Sequence, residues 1–124
     1  MLHTYGTMAY GPGMMATVHL CDDFTKYYRA LLPKYLMVQP PKYKPHISVV
    51  RLNIEKPINI LEWGKHAGRR IDIKYDSTIK NRGVYYYIQA YSEQIGIIRR
   101  DLGLSTYRNG FYSYHITIGN TKNV

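Results

Sequence analysis

Two tetrapeptides of this chain follow one pattern. His46-Ile47-Ser48-Val49 and His115-Ile116-Thr117-Ile118 each run histidine, apolar, hydroxyl, apolar. That alternation has the period of a β-strand, in which successive side chains turn to opposite faces. His46 and Ser48 therefore share one face, and His115 and Thr117 share another, while Ile47, Val49, Ile116 and Ile118 back them on the core side. Any fold for this chain must hold two such strands, 69 positions apart (115 − 46), each burying its aliphatic face and presenting an imidazole beside a hydroxyl.

The segments around the motifs alternate between strand and helix signals. Met14 to Leu20 reads as a strand after a Gly-Pro-Gly turn at Gly11 to Gly13. Asp22 or Asp23 then caps a helix with an apolar stripe of Phe24, Tyr27, Tyr28, Leu31, Leu32 and Tyr35, ended by Pro33. Gln39 to Pro45 is extended or turning, and His46 to Leu52 is a strand. Between Ile54 and Arg70 the pattern is ambiguous, with room for a short helical turn at Ile58 to Leu61. Ile71 to Ile79 and Val84 to Tyr91 form a hairpin around Asn81-Arg82-Gly83. Ser92 caps a helix carrying Ile95, Ile98 and Leu102, with Gly103 at its end. After a polar loop at Ser105 to Gly110, a last strand covers Tyr112 to Ile118. The order β-α-β-turn-β-β-α-β predicts an α+β protein with antiparallel pairing and a weak internal echo.

Charge narrows the partners. Lys plus Arg is 17 and Asp plus Glu is 8, a formal net charge of +9 in a single domain spanning residues 1–124. That balance favours a polyanion: nucleic acid, a nucleotide or an anionic surface. The single cysteine, Cys21, excludes a disulfide framework and a Cys-rich zinc module and suits a reducing cytoplasm. No apolar run has the length of a membrane span, so a membrane is not expected as a partner. Fourteen tyrosines stand against two phenylalanines, a ring type suited to half-wet surfaces that stack on bases as well as to strand packing.

Two imidazoles and two hydroxyls facing one groove suit phosphodiester chemistry. Histidine ionises near neutrality, so one ring can accept a proton while the other gives one. Against a 3′-5′ phosphodiester, the base would take the proton of a ribose 2′-hydroxyl and the acid would protonate the departing 5′-oxygen. Ser48 and Thr117 would hold the non-bridging oxygens. Such a cycle needs no metal and no cofactor, and none is expected.

On these residues the chain resembles the 2H phosphoesterase superfamily, named for its paired H-Φ-[ST]-Φ motifs. The resemblance implies a bilobal fold, with two pseudo-symmetric lobes of antiparallel strands and flanking helices around a central cleft. It also implies His46, Ser48, His115 and Thr117 as the catalytic set. The chain's shortness is most similar to the compact phage anti-CBASS nucleases, which implies cyclic di- or trinucleotides as substrates in a host cytoplasm. An RNA-end 2′,3′-cyclic phosphodiesterase or 2′-5′ ligase-like enzyme uses the same four residues. A non-catalytic basic module binding RNA or nucleotides is the alternative from another class.

Four further residues are candidates for substrate binding. Lys44 precedes His46 by two positions, Tyr10 sits in a glycine-rich turn, and Tyr85 and Tyr87 share a strand face with Tyr91. Each has an ordinary structural alternative, in solvent for Lys44 and in sheet packing for the rings. Trp63 is read as a packing anchor, Tyr112 and Tyr114 as core-facing, and Arg69-Arg70 and Arg99-Arg100 as solvated charges. His19 lies on a strand that could face either way, and His3 and His66 have no partner signature.

Overall fold

The computed structural model describes residues 1–11 and 15–122. Its strands are β1 (Leu2–Gly11), β2 (Met15–His19), β3 (His46–Arg51), β4 (Arg70–Arg82), β5 (Tyr85–Tyr91) and β6 (Tyr114–Asn120). Two helices, α1 (Asp22–Ala30) and α2 (Glu93–Asp101), and two 3-10 turns at Lys34–Leu36 and Ile60–Glu62 complete it. The strands hydrogen-bond in the order β1-β2-β3-β6-β5-β4, and β1 pairs with β4 to close the ring.

This overturns the bilobal α+β expectation. The molecule is a closed barrel of six antiparallel strands with two short helices, not two lobes around a cleft. Two pairings unite what would have been separate lobes. The motif strands meet at Ile47–Ile116, and Leu2 to Thr7 of β1 zip onto Arg70 to Tyr75 of β4. A closed ring leaves every strand with two neighbours and removes the unpaired edges of an open sheet.

The strand β1 was not read from the sequence. Tyr10, assigned there to a turn, lies within it and pairs with Ala16 of β2. The Pro12-Gly13 part of the expected turn and Met14, the expected start of the next strand, lie outside the described residues. The remaining strands fall within a few positions of expectation, and the short turn forms at Ile60–Glu62 rather than Ile58 to Leu61.

One face of every strand is buried. Met8, Val18, Ile47, Val49, Ile71, Ile73, Ile88, Ile116 and Ile118 join Ile95, Ile98 and Leu102 of α2 and Tyr28 of α1 in one continuous core. In α2 the expected signals operate: Ser92 Oγ accepts from the Ile95 amide at 3.3 Å, and Gly103 follows with φ of 81°. The helix α1 differs. Cys21, not an aspartate, is its N-cap residue, and Tyr27, Leu31 and Tyr35 are exposed. Its buried side is narrower, with Thr25 and Tyr28 inside and Phe24 and Leu32 at the margin, packed over Tyr75 and β6.

The two halves of the chain repeat a plan. Each contributes three strands, with a helix between its second and third. Each helix then reaches across to the motif strand of the other half. Arg29 of α1 donates from Nη1 to the Ile118 carbonyl of β6 at 3.0 Å, and Arg99 of α2 donates from Nη1 to the Val49 carbonyl of β3 at 2.7 Å. Both carbonyls belong to the residue directly after the motif hydroxyl. Both sit at a register shift: Ser48 and Val50 pair with consecutive residues of β2, and Thr117 and Gly119 with consecutive residues of β5. Each motif strand thus carries one extra residue, a bulge, and an arginine satisfies the carbonyl that the ladder releases there.

Beyond the β6 bulge the chain packs tightly against the segment before β3. Gln39 and Asn120 exchange backbone hydrogen bonds of 2.8 and 3.0 Å, strapping the segment before β3 over Gly119. A Cβ at Gly119 would meet the Gln39 carbonyl oxygen at 2.8 Å and press on Val38. Gly119→Ala is therefore expected to lower unfolding free energy by about 1–3 kcal/mol in urea denaturation, because the backbone contact cannot give way. An unchanged midpoint would show that the strap moves freely.

Candidate functional site

The motif faces orient as the alternation requires. Ile47, Val49, Ile116 and Ile118 are buried, whereas His46, His115 and Thr117 are half-buried and Ser48 is exposed. The antiparallel Ile47–Ile116 pairing, continued one residue either way, sets His46 beside Thr117 and Ser48 beside His115. Each histidine thus faces the other motif's hydroxyl, and the imidazoles occupy a diagonal. Diagonal cross-strand neighbours stand roughly 7–8 Å apart, wide enough for one tetrahedral anion between them.

All four side chains line a single open cleft of about 200 Å³ above this seam. Also in its wall are Arg51 at the end of β3, Arg108, Phe111 and Ser113 from the segment before β6, and the Glu55–Arg99 pair. The β3 bulge, at Val49 and Val50, is part of its wall, and in each motif strand an extra residue after the hydroxyl changes the twist and aims the preceding side chains.

His46 and His115 have different surroundings. His46 Nδ1 lies 2.8 Å from the Lys44 carbonyl oxygen, which can only accept, so Nδ1 carries hydrogen and Nε2 is the atom left to exchange a proton. His115 stands edge-on between Tyr87 at 4.7 Å and Phe111 at 5.2 Å between ring centroids. Burial among these rings holds its pKa below the ordinary histidine value, and the positive charges of Arg108 and Arg82 lower it further. Both guanidiniums lie over the Phe111 ring, Arg108 at 4.4 Å and Arg82 at 5.7 Å. One phenylalanine therefore organises two cations beside the His115 imidazole.

The floor is held by Arg99, which the sequence placed among solvated charges. It is 2% exposed and forms a fork with Glu55, with bonds of 2.8 and 2.6 Å. Its Nε donates to the Ser105 carbonyl at 2.7 Å, beside the bond to Val49. Four charge-assisted bonds thus fasten α2, β3 and the segments carrying Glu55 and Ser105 together. Glu55 is the only acidic residue between Asp23 and Glu62. A lone acid in so basic a stretch was the available sequence signal for a paired charge.

The substrate-binding candidates separate. Tyr87 packs against the His115 ring and pairs with Thr117, behind the cleft wall rather than in it. Tyr85 is farther along β5, paired with Asn120 and with the Lys122 ammonium 4.9 Å from its ring. Lys44 contributes its carbonyl to His46, and its exposed side chain is not part of the cleft wall. Tyr10 is also outside that wall, packed edge-on against Trp63 at 5.1 Å on the margin of the core. Trp63 is the packing anchor expected. Tyr114 is buried as expected, but Tyr112 is 87% exposed because β6 begins only at Tyr114. Arg108 and Phe111 carried no motif and were missed, since nothing in the sequence tells which loop folds over the seam.

Removing Arg99 alone strands the Glu55 carboxylate in the wall. Arg99→Met is expected to cost about 3–5 kcal/mol in urea denaturation, and adding Glu55→Leu to return much of that loss. A single variant as stable as the parent would remove Arg99 from its place as the fastening of the floor. Among the described residues no helix is long and apolar enough to cross a membrane. Compared with known proteins, the chain matches no family model, no curated protein and no solved structure.

Proposed function

We propose that this chain is a metal-independent phosphodiesterase of the 2H type, cutting a 3′-5′ phosphodiester by attack of the neighbouring ribose 2′-hydroxyl. The observation that carries this is the diagonal of two imidazoles, each beside a hydroxyl, over one seam of the barrel. His115, held below the ordinary histidine pKa, is neutral near pH 7 and takes the 2′-hydroxyl proton. His46 gives the proton at Nε2 to the leaving 5′-oxygen, its Nδ1 hydrogen anchored on Lys44. Ser48 and Thr117 hold the non-bridging oxygens, and Arg51 and Arg108 oppose the negative charge that builds on those oxygens. The products are a 2′,3′-cyclic phosphate and a free 5′-hydroxyl. Two imidazoles supply both proton transfers of the cycle.

The cleft is open and flanked by arginines, which favours a strand passing through it over a closed ring held in an aromatic pocket. Cyclic di- and trinucleotides, as degraded in evasion of bacterial immunity, are the second substrate class. The test is turnover of single-stranded RNA and of cyclic oligonucleotides, each in excess chelator, with products resolved by mass. His46→Ala and His115→Ala are each expected to lower the rate by roughly 10²–10⁴-fold or more. Binding of both substrates without turnover would leave a nucleotide-binding module and end the phosphodiesterase proposal.

The lowered pKa of His115 gives a signed pH dependence. A general base works only when deprotonated, so the acidic limb of kcat/KM is expected below the ordinary histidine value. Arg108→Gln removes a cation that disfavours the protonated ring, so the limb is expected to move to higher pH. A limb unmoved or shifted down would show that His115 is not the base.

A further inference from the structure

The imidazole–hydroxyl pattern does not stop at the two motif strands. Thr17-Val18-His19 of β2 carries it in reverse, and β2 runs antiparallel to β3, so the reversal brings like beside like. His19 pairs with His46, and Thr17 with Ser48. Val18 is fully buried, which turns Thr17 and His19 to the same solvent face as the motif side chains. The Leu20 amide donates to the Pro45 carbonyl at 3.0 Å, making that the hydrogen-bonded pair of the ladder. His19 and His46 therefore form the neighbouring non-hydrogen-bonded pair, in which side chains come closest. His19 Nε2 lies 3.3 Å from Thr17 Oγ1, and the ring is exposed.

Two adjacent imidazoles facing water are poor partners for each other when protonated, and good partners for an anion that spans them. We infer that His19 and Thr17 form a second phosphate subsite, one strand beyond the cleft, for a nucleotide strand carrying another phosphodiester next to the one being cut. The inference rests on the phosphodiesterase proposal for the placing of the first phosphate. Strand spacing puts the second subsite roughly 5 Å or more farther along the face. Two phosphates in register along β6, β3 and β2 would give longer strands an advantage that a single-phosphate substrate lacks.

The probes are 2′-deoxy oligonucleotides, which lack the attacking hydroxyl and so persist: a dinucleotide with one phosphate and a trinucleotide with two. Binding is followed by NMR through the imidazole Cε1–H signals of His19, His46 and His115. The dinucleotide is expected to move His46 and His115, and the trinucleotide to move His19 as well and to bind about 5–20-fold more tightly. A trinucleotide whose second linkage is a neutral methylphosphonate is expected to lose that advantage. In His19→Ala, and in His19→Gln, which keeps a polar group near Thr17, the ratio between the two affinities is expected to fall towards one. Movement of His46 and His115 with His19 still, or an advantage that survives both variants, overturns the subsite and leaves the first site standing. If no histidine moves with either probe, the candidate site itself is wrong and the subsite falls with it.

Discussion

The guanidinium of Arg99 is the fastening on which the cleft depends. A bulge in a strand releases a backbone carbonyl from the ladder, and a buried carbonyl without a donor costs on the order of 1–3 kcal/mol. Arg99 supplies that donor to Val49 and gives three more hydrogen bonds to Glu55 and Ser105. The bulge aims Ser48 and His46, while the Ser105 contact holds the start of the segment that later carries Arg108 and Phe111. Strand geometry and loop position are thus fixed by one side chain. Arg29 performs the matching service for Ile118 behind Thr117, with no ion pair to an acidic side chain among the described residues.

The pseudo-symmetry explains why the two motifs meet at the β3–β6 seam. Each half places its motif on its third strand, and those two strands are neighbours in the ring. Ile47 and Ile116 pair at the centre of the relation, so the motif residues on either side exchange partners across it. The environments are nonetheless unequal. His115 has aromatic edges and two guanidiniums near it, whereas His46 has a main-chain carbonyl and a second histidine. A symmetric frame carrying asymmetric neighbours suits a reaction in which one ring must take a proton and the other give it.

The sequence made some of this legible because the signals were local. Alternation in the motifs needed only Ile47, Val49, Ile116 and Ile118 to reveal which side chains share a face, and Ser92 and Gly103 bounded α2. What it did not make legible depended on long-range contacts. The inward side of β1 reads Thr4, Gly6, Met8 and Tyr10, too mixed to show a strand, and Gly6 is small there because the His19 carbonyl lies against it. Closure was hidden for the same reason: an internal repeat is compatible with two lobes or one ring, and only the β3–β6 and β1–β4 pairings together decide. Arg99 looked like a solvated charge because its partner, Glu55, is 44 positions away.

Closing a ring through distant segments has a kinetic consequence. Hairpins β1–β2 and β4–β5 join near neighbours, but Leu2 must find Tyr75 and Ile47 must find Ile116. Pairings of such high contact order form late, after the entropy of large loops has been overcome. During synthesis, β1, β2 and β3 emerge as an open sheet with both outer edges unpaired until the second half arrives. The first half is therefore the stretch most exposed to association with other chains, and the emergence of β4 and β6 is what ends that exposure.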